Sequence, residues 1–264
     1  SARRTNWAWW SFKIIALIHH PLYLEFNGKK SEEFFKRAIK IYKKIDYFIV
    51  TSHNTKKLLS ETFKIKSSKI SIVEPGIEKF KKFKKIPSAK LNLLTCGSII
   101  ERKKYDYLIK EIKNVENIQV NIVGDVSRES KYTNKIKKLI SNNKLKNKVI
   151  LHGKISQVKL ESLYSNSDFY ISTSEYEGFG MSLANAVLSK LPIISYKTST
   201  IIKTIGKSGV LYFDNHKKDT LKKLINDNCF NKKKYKFLKK NISNKKYLTN
   251  YQSAKLFIKA IDYA

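Results

Sequence analysis

Short runs of β-branched and aromatic residues alternate with longer amphipathic stretches along nearly the whole chain, and that order leaves few ways to fold. "KIIALIH" (13–19), "DYFIVTS" (46–52) and "ISIVEPG" (70–76) read as strands, with helix-like "SEEFFKRAIKIYKKI" and "HNTKKLLSETFK" between them. After the basic stretch "EKFKKFKKIPSAK" the pattern resumes with "LNLLTCG", "IQVNIVGD", "VILHG", "DFYIST", "PIISY" and "GVLYF". "YDYLIKEIKN", "YTNKIKKLISNN", "SQVKLESLYSN" and "MSLANAVLSKL" are helix-like segments among these. Such alternation implies an α/β chain with right-handed crossovers and parallel sheets covered on both faces.

The later part supplies six strands, the number in a complete Rossmann-like domain, and the earlier part three. A parallel sheet that short leaves an open edge. The chain also begins with Ser rather than Met, so the opening strands of the first domain are expected to be absent from it. The resulting division is a partial Rossmann-like domain over 1–78, a linker over 79–90, a second Rossmann-like domain over 91–248 and a closing helix over 249–264. In that last segment Leu256, Phe257, Ala260 and Ile261 fall at helical spacing, as expected of a helix packed on one or both domains.

Of 264 residues, 42% are hydrophobic and 28% charged, the balance of a soluble globular protein. Lys and Arg number 54 against 21 Asp and Glu, a net charge of +33 that would attract polyanions. The lysines are spread along the chain among Ile and Asn, as in a surface written in lysine, and no helix-turn-helix, zinc-finger or RNP-type motif accompanies them. No specific nucleic-acid partner is therefore expected; the rival reading, a basic nucleic-acid-binding protein, predicts steep loss of affinity with salt. The densest stripes, 81–90 and 231–246, read as solvating the linker and a late helix.

Cys96 and Cys229 are too few for a disulfide framework and lack metal-ligand spacing, which implies a reducing, cytoplasmic setting. "IIALI" (14–18) is far too short to span a bilayer. "RRTNWAWWSFKIIALI" puts basic residues ahead of an apolar run, but Lys13 interrupts it and no small-residue cleavage site follows. It reads as an aromatic-rich connector leading into a buried strand.

The stretch that carries chemistry is "SEYEGFGMSLANAV" (174–187). In a doubly wound sheet, ligands bind beyond the carboxyl ends of the strands, where helices begin. Gly178 and Gly180 permit a sharp bend and close ligand approach, and a helix starting near Met181 or Ser182 aims its free amides at the crevice, a phosphate seat. Asn185, read as lying in the first turn, can face the same ligand, and Glu177 can accept from sugar hydroxyls. Taken alone, the Gly-x-Gly favours a plain βα turn, since it is not the full dinucleotide fingerprint and follows a late strand rather than the first. A second loop tips the balance: "CGSIIERKKYDYLI" (96–109) places Arg102 and Lys103 after the strand at 91–97, where their cations can meet the same phosphate.

In order and spacing, "VEPGI", "GSIIERKKYDYLI", "VNIVGD" and "VILHGKISQVKLESLYSNSDFYISTSEYEGFGMSLANAVLSKLPIISY" resemble the retaining glycosyltransferases of family 4. The resemblance implies the GT-B fold: two Rossmann-like domains facing across a cleft, the N-terminal one incomplete in this chain. It further implies transfer of a sugar from a nucleotide-sugar to an acceptor hydroxyl, with the donor as co-substrate and no cofactor. Arg102 and Lys103 would neutralise the diphosphate, and Glu177, with Gly178, would contact the donor sugar. The amides of Phe179, Gly180 and Met181, next to Ser182, would cap phosphate oxygens, and Asn185 would face the ribose. His19 matches a histidine on the sugar and acceptor side, ahead of His20, although an imidazole at a strand end can equally well satisfy a nearby carbonyl. Lys103, Glu177 and His19 are the catalytic candidates.

Two positions depart from the family. Many members have arginine after the glycine of the first loop, where this chain has Ser98, which is counted with the donor-binding residues although it removes one phosphate partner; the second of two glutamates eight positions apart is replaced by Asn185. Losing one ribose hydrogen bond costs on the order of 1–3 kcal/mol. A truncated or decayed relative that binds nucleotide without turnover is thus the alternative within the same fold. No Asp-x-Asp pair, His-Glu-x-x-His or cysteine cluster suggests a metal. The expected acceptor is a saccharide or a lipid-linked saccharide, and the cationic surface is compatible with peripheral contact at an anionic inner membrane face.

Overall fold

The computed structural model describes residues 12–26 and 28–264. The aromatic-rich connector expected before the first strand lies, apart from Phe12, outside the described residues. Every strand run read from the sequence forms a strand. β1 (Ile15–Ile18), α1 (Gly28–Tyr42), β2 (Tyr47–Val50), α2 (His53–Thr62) and β3 (Ile70–Ile72) build a parallel sheet in the order β1-β2-β3. Side chains alternate across it: Phe48 and Val50 pack with Leu59 and Tyr42 on one face, and Ile49 points to the other. Ser52 starts α2 by accepting the amide of Thr55 on its hydroxyl at 3.1 Å.

The expectation that the first strand is buried is wrong: Leu17 is 45% exposed and its other three residues are only partly buried. β1 is one of the two outer strands of its sheet. Having a paired neighbour on only one side, it leaves part of its apolar surface uncovered.

The second unit runs β4 (Leu91–Cys96), α3 (Tyr105–Ile112), β5 (Ile118–Val123), α4 (Ser130–Asn142), β6 (Val149–Gly153), α5 (Gln157–Asn166), β7 (Phe169–Ser172), α6 (Met181–Leu188), β8 (Ile193–Tyr196), α7 (Ser199–Ile205), β9 (Val210–Phe213), α8 (Thr220–Asn228) and α9 (Lys232–Lys240). Its six strands are all parallel, in the order β6-β5-β4-β7-β8-β9. Leu93, Phe169 and Ile194 join a core with α3, α4 and α8, whereas their neighbours Leu94, Tyr170 and Ile193 join one with α5, α6 and α7. Burial on both faces explains why these strands read as continuous apolar runs. Glu111 is buried because its carboxylate takes the amides of Asp219, Leu221 and Lys222 at the start of α8.

Residues 79–90 contain no helix or strand, but they are strapped to the second unit. Phe80 packs edge-on against Tyr164 with ring centroids 5.0 Å apart. The amides of Phe83 and Ile86 donate to Ser165 and Asn166 at 3.1 and 2.7 Å, and Lys85 pairs with Asp168.

The last helix, α10 (Asn250–Asp262), opens with a capping box between Thr249 and Gln252 and returns to the first sheet. Phe257 and Ala260 pack on Ile49 and Val73. Leu256 and Ile261, expected in the same contact, are 43% and 42% exposed. The flank of a three-stranded sheet is too narrow to cover the whole apolar stripe.

Candidate active site

β4 and β7 lie side by side, where successive connections switch from one side of the sheet to the other. Because the two strands are parallel, the loops after them, 97–104 and 173–180, leave the sheet at the same edge. A short 3-10 turn, Glu101–Lys103, turns the first loop back toward the second. Thr173 Oγ1 donates to the Lys103 carbonyl at 2.7 Å, and the Glu175 amide donates to the Arg102 carbonyl at 3.1 Å.

Lys103 Nζ donates to Glu177 Oε1 at 2.6 Å, and Arg102 Nη1 stands 3.6 Å from Glu177 Oε2. Arg102 also donates to the Tyr176 carbonyl. All three charged side chains are about nine-tenths buried. Burial by itself pushes the Glu177 carboxyl up; the charges of Lys103 and Arg102, with hydrogen bonds from Lys103 and Ser174, outweigh it and hold the group at about 2. Gly97 (φ +153) makes room for the ammonium, since a Cβ there would lie 2.7 Å from Lys103 Cε.

The helix that follows begins as the glycines imply. Gly180 adopts φ 93 and ψ 47 as the residue before α6, a left-handed conformation that costs other residues roughly 1–2 kcal/mol. The amides of Leu183 and Ala184 turn back onto its carbonyl at 3.0 Å each. Those of Phe179, Gly180, Met181 and Ser182 meet no acceptor among the described residues. Asn185 is the fifth residue of α6 and so opens the second turn rather than falling in the first.

These groups share one cleft of about 400 Å³, lined by Arg102, Lys103, Glu177, Gly178, Phe179, Gly180, Met181, Ser182 and Asn185 from the second unit and by His19 and His20 from the first. Ser98, grouped with them from the sequence, does not line it; Cys96 and Gly97 do. Leu160 and Tyr164 of α5 also line the cleft, which the sequence reading missed. Tyr164 donates to the Ser182 carbonyl at 2.9 Å, bracing the start of α6. Burial pushes the Cys96 thiol up to about 12, which removes it as a nucleophile. Two buried cations against one carboxylate, facing open amides at a helix start, suit the cleft to an anion with a polyol beside it.

The histidines separate cleanly. His20 Nε2 is bonded to Glu25 Oε1 at 2.7 Å. The His19 ring makes no hydrogen bond among the described residues, and burial followed by the nearby His20 lowers its pKa. It is the carbonyl of His19, not its ring, that is satisfied, by Thr51 Oγ1 at 3.0 Å.

The two units touch along the cleft rim. A Cβ on Gly178 would lie 2.2 Å from the His19 carbonyl oxygen. Glu25, 3% exposed, takes both its oxygens to Arg128 Nη2 at 2.9 and 2.7 Å. Asn54 Nδ2 donates to Ser199 Oγ and Thr200 Oγ1 at 2.6 and 2.5 Å.

This architecture agrees with the comparisons with known proteins. Residues 76–245 match the family model of the glycosyl transferases group 1. The chain belongs to that family. It is 29% identical over 154 residues to the GtfA subunit of a UDP-N-acetylglucosamine–peptide N-acetylglucosaminyltransferase from Streptococcus agalactiae, covering 57% of this chain and 30% of that protein. Over 265 residues it is 27% identical to an uncharacterized glycosyltransferase of Methanocaldococcus jannaschii, covering 91% of this chain and 67% of that one. The matched part spans only 30–41% of the length of the four streptococcal GtfA relatives. Among solved structures, Anabaena HepE in complex with UDP and glucose superposes with a TM-score of 0.78 at 15% identity, over 95% of this chain and 71% of that one. A Rickettsia africae glycosyltransferase gives 0.70 at 22%, over 94% and 70%. The fold is that of the GT-B glycosyltransferases.

Proposed function

We propose that this chain forms the donor side of a retaining glycosyltransferase of family 4, which moves a sugar from a nucleoside-diphosphate sugar to an acceptor hydroxyl. The observation that carries the reading is the convergence of Lys103, Arg102 and the open amides of 179–182 on one cleft that also holds Glu177. The relatives named above include a subunit of a peptide N-acetylglucosaminyltransferase and one structure holding UDP and glucose, which favours a nucleotide-sugar donor.

In this reading the diphosphate sits against the start of α6, and Lys103 bridges it to Glu177. As the bond to the anomeric carbon breaks, charge grows on the departing phosphate. Cations and amides already fixed around it stabilise the transition state more than the ground state. Glu177, ionised at neutral pH, accepts from hydroxyls of the donor sugar, and the unengaged ring of His19 faces the sugar from the opposite wall. Asn185 serves the ribose. The acceptor, a saccharide or lipid-linked saccharide, enters from the first unit, consistent with a protein that works in the cytoplasm at the inner membrane face.

Melting-temperature titration with nucleoside diphosphates and their sugars tests this reading. One diphosphate is expected to stabilise the wild type, and Lys103→Ala to abolish most of that gain. Equal stabilisation of both proteins would remove Lys103 from the diphosphate site.

A further inference from the structure

A second cavity, of about 390 Å³, shares a wall with the cleft that holds Lys103 and Glu177. It is built from the stretch after β1 and the loops after β4 and β7, so it too lies beyond the carboxyl ends of parallel strands. Arg102 lines both spaces, and the 2.7 Å bond from His20 to Glu25 joins a residue of the donor cleft to one of the second cavity. Tyr23, Phe26 and Tyr176 give this cavity an aromatic wall. Tyr23 is held edge-on by Phe35 with ring centroids 5.1 Å apart, and Phe26 is stacked on Phe34 at 4.9 Å, so these two rings are fixed before any ligand arrives.

The charges around the cavity are already met. Glu25 faces His20 and Arg128, Glu175 pairs with Lys104 at 3.1 Å, and Arg102 stands 3.6 Å from Glu177. A charged ligand would bring an ion that no group there is left to balance. Hydrogen-bonding capacity is nevertheless left over. A carboxylate has about four acceptor sites; at Glu25 two are taken on Oε1 and one on Oε2. Among the described residues Arg102 donates only from Nη1, and its buried Nε has no acceptor. Ser31 Oγ donates to the Tyr23 carbonyl at 3.0 Å and keeps its lone pairs. An apolar ligand would leave these groups unpaired. A ring that carries hydroxyls at its edge and C–H groups on its faces meets both the polar and the aromatic wall.

We propose that this cavity binds one ring of a neutral saccharide, its hydroxyls taken by Glu25, Arg102 and Ser31 and a C–H face laid against the aromatic wall. Assigning that ring to the acceptor rests on the sugar-transfer reading. The binding itself does not, because it is measured without a donor.

The test is saturation-transfer NMR with the methyl pyranosides of glucose, galactose, mannose and N-acetylglucosamine, and with sodium glucuronate as a charged counterpart. At least one neutral pyranoside should receive saturation from the wild type, and glucuronate should receive less. Ser31→Trp, which fills the cavity from α1, should abolish the transfer. Tyr176→Leu, which removes an aromatic face, should weaken binding roughly three- to tenfold. His19→Ala, at the sugar end of the donor cleft, should leave binding near wild type. Melting temperatures show which variants fold, and Tyr176→Leu decides if Ser31→Trp does not. Silence from all four pyranosides in the wild type, transfer that persists in folded Ser31→Trp, unweakened binding in Tyr176→Leu or loss in His19→Ala would each overturn the proposal, as would stronger transfer to glucuronate. None of these outcomes alters the gain in melting temperature with a nucleoside diphosphate, so failure here and failure of the donor reading are told apart.

Discussion

Lys103 Nζ lies 2.6 Å from Glu177 Oε1 in a nine-tenths buried contact between the loops that follow two neighbouring parallel strands. A buried pair of this kind makes each partner expensive to remove alone, because Lys103 would be left charged without its acid and Glu177 with only the longer contact to Arg102 at 3.6 Å. Lys103→Met and Glu177→Gln should therefore each destabilise the fold by on the order of 3 kcal/mol. The double variant should cost less than the sum of the two by at least about 1 kcal/mol. Urea unfolding of the four proteins measures this coupling, and strict additivity would contradict it.

The same pair sets an acid limit. Glu177 has its pKa lowered from 4.5 to about 2 by folding, so the unfolded chain takes up the proton first as pH falls. Its contribution is complete above pH 4.5 and is lost as pH drops toward 2. Unfolding free energy measured across that window should fall more steeply for wild type than for Glu177→Gln.

Gly178 abuts the first unit, with the His19 carbonyl oxygen 2.2 Å from where a Cβ would stand. Gly178→Ala should push the two backbones apart, at a cost of about 1–3 kcal/mol. Its melting temperature should drop, and the gain on adding the stabilising diphosphate should shrink with it. An unchanged diphosphate response would mean that the contact does not shape the cleft.

Glu25 is buried against His20 and Arg128. Burial raises its pKa, but the hydrogen bond and charge of His20 and the charges of Arg128 and Arg102 bring it below the ordinary carboxylate value. Its stabilisation is thus present above the unfolded value and lost on acidification. Arg128 is 48% exposed, so solvent weakens its share, and Arg128→Ala should cost on the order of 1 kcal/mol. Carboxyl NMR titration should show the Glu25 pKa rising in that variant.

Asn185 lines the cleft, and the resemblance to family 4 implies a second glutamate at its position. Asn185→Glu should add an acceptor for a ribose hydroxyl and tighten nucleoside diphosphate binding by roughly ten- to a hundredfold in calorimetry. Weaker binding would place the ribose elsewhere.

Strands and helices were legible in the order of the residues because parallel strands buried on both faces leave apolar runs, and "DFYIST" and "PIISY" need no neighbour to be read. The glycines at 178 and 180 marked the βα junction by the same local logic. Exposure was less legible. Leu17 and Leu256 look like core residues in one dimension, but they lie on an outer strand and on a helix whose apolar stripe the sheet beneath it does not fully cover. Leu160 and Tyr164 were missed at the cleft because nothing in the helix that carries them shows that it packs beside the start of α6.

The sequence by itself determined the α/β alternation, the two loops rich in cations and glycines, and the likeness to glycosyltransferases, since each depends on residues close together in the chain. Only the tertiary structure decided that Lys103 spends its charge on Glu177, 74 positions away, and that Glu25 reaches Arg128, 103 positions away, across the units. Partners at that separation are chosen by strand order and by the burial that makes an unpaired charge costly, and neither is written in any local pattern.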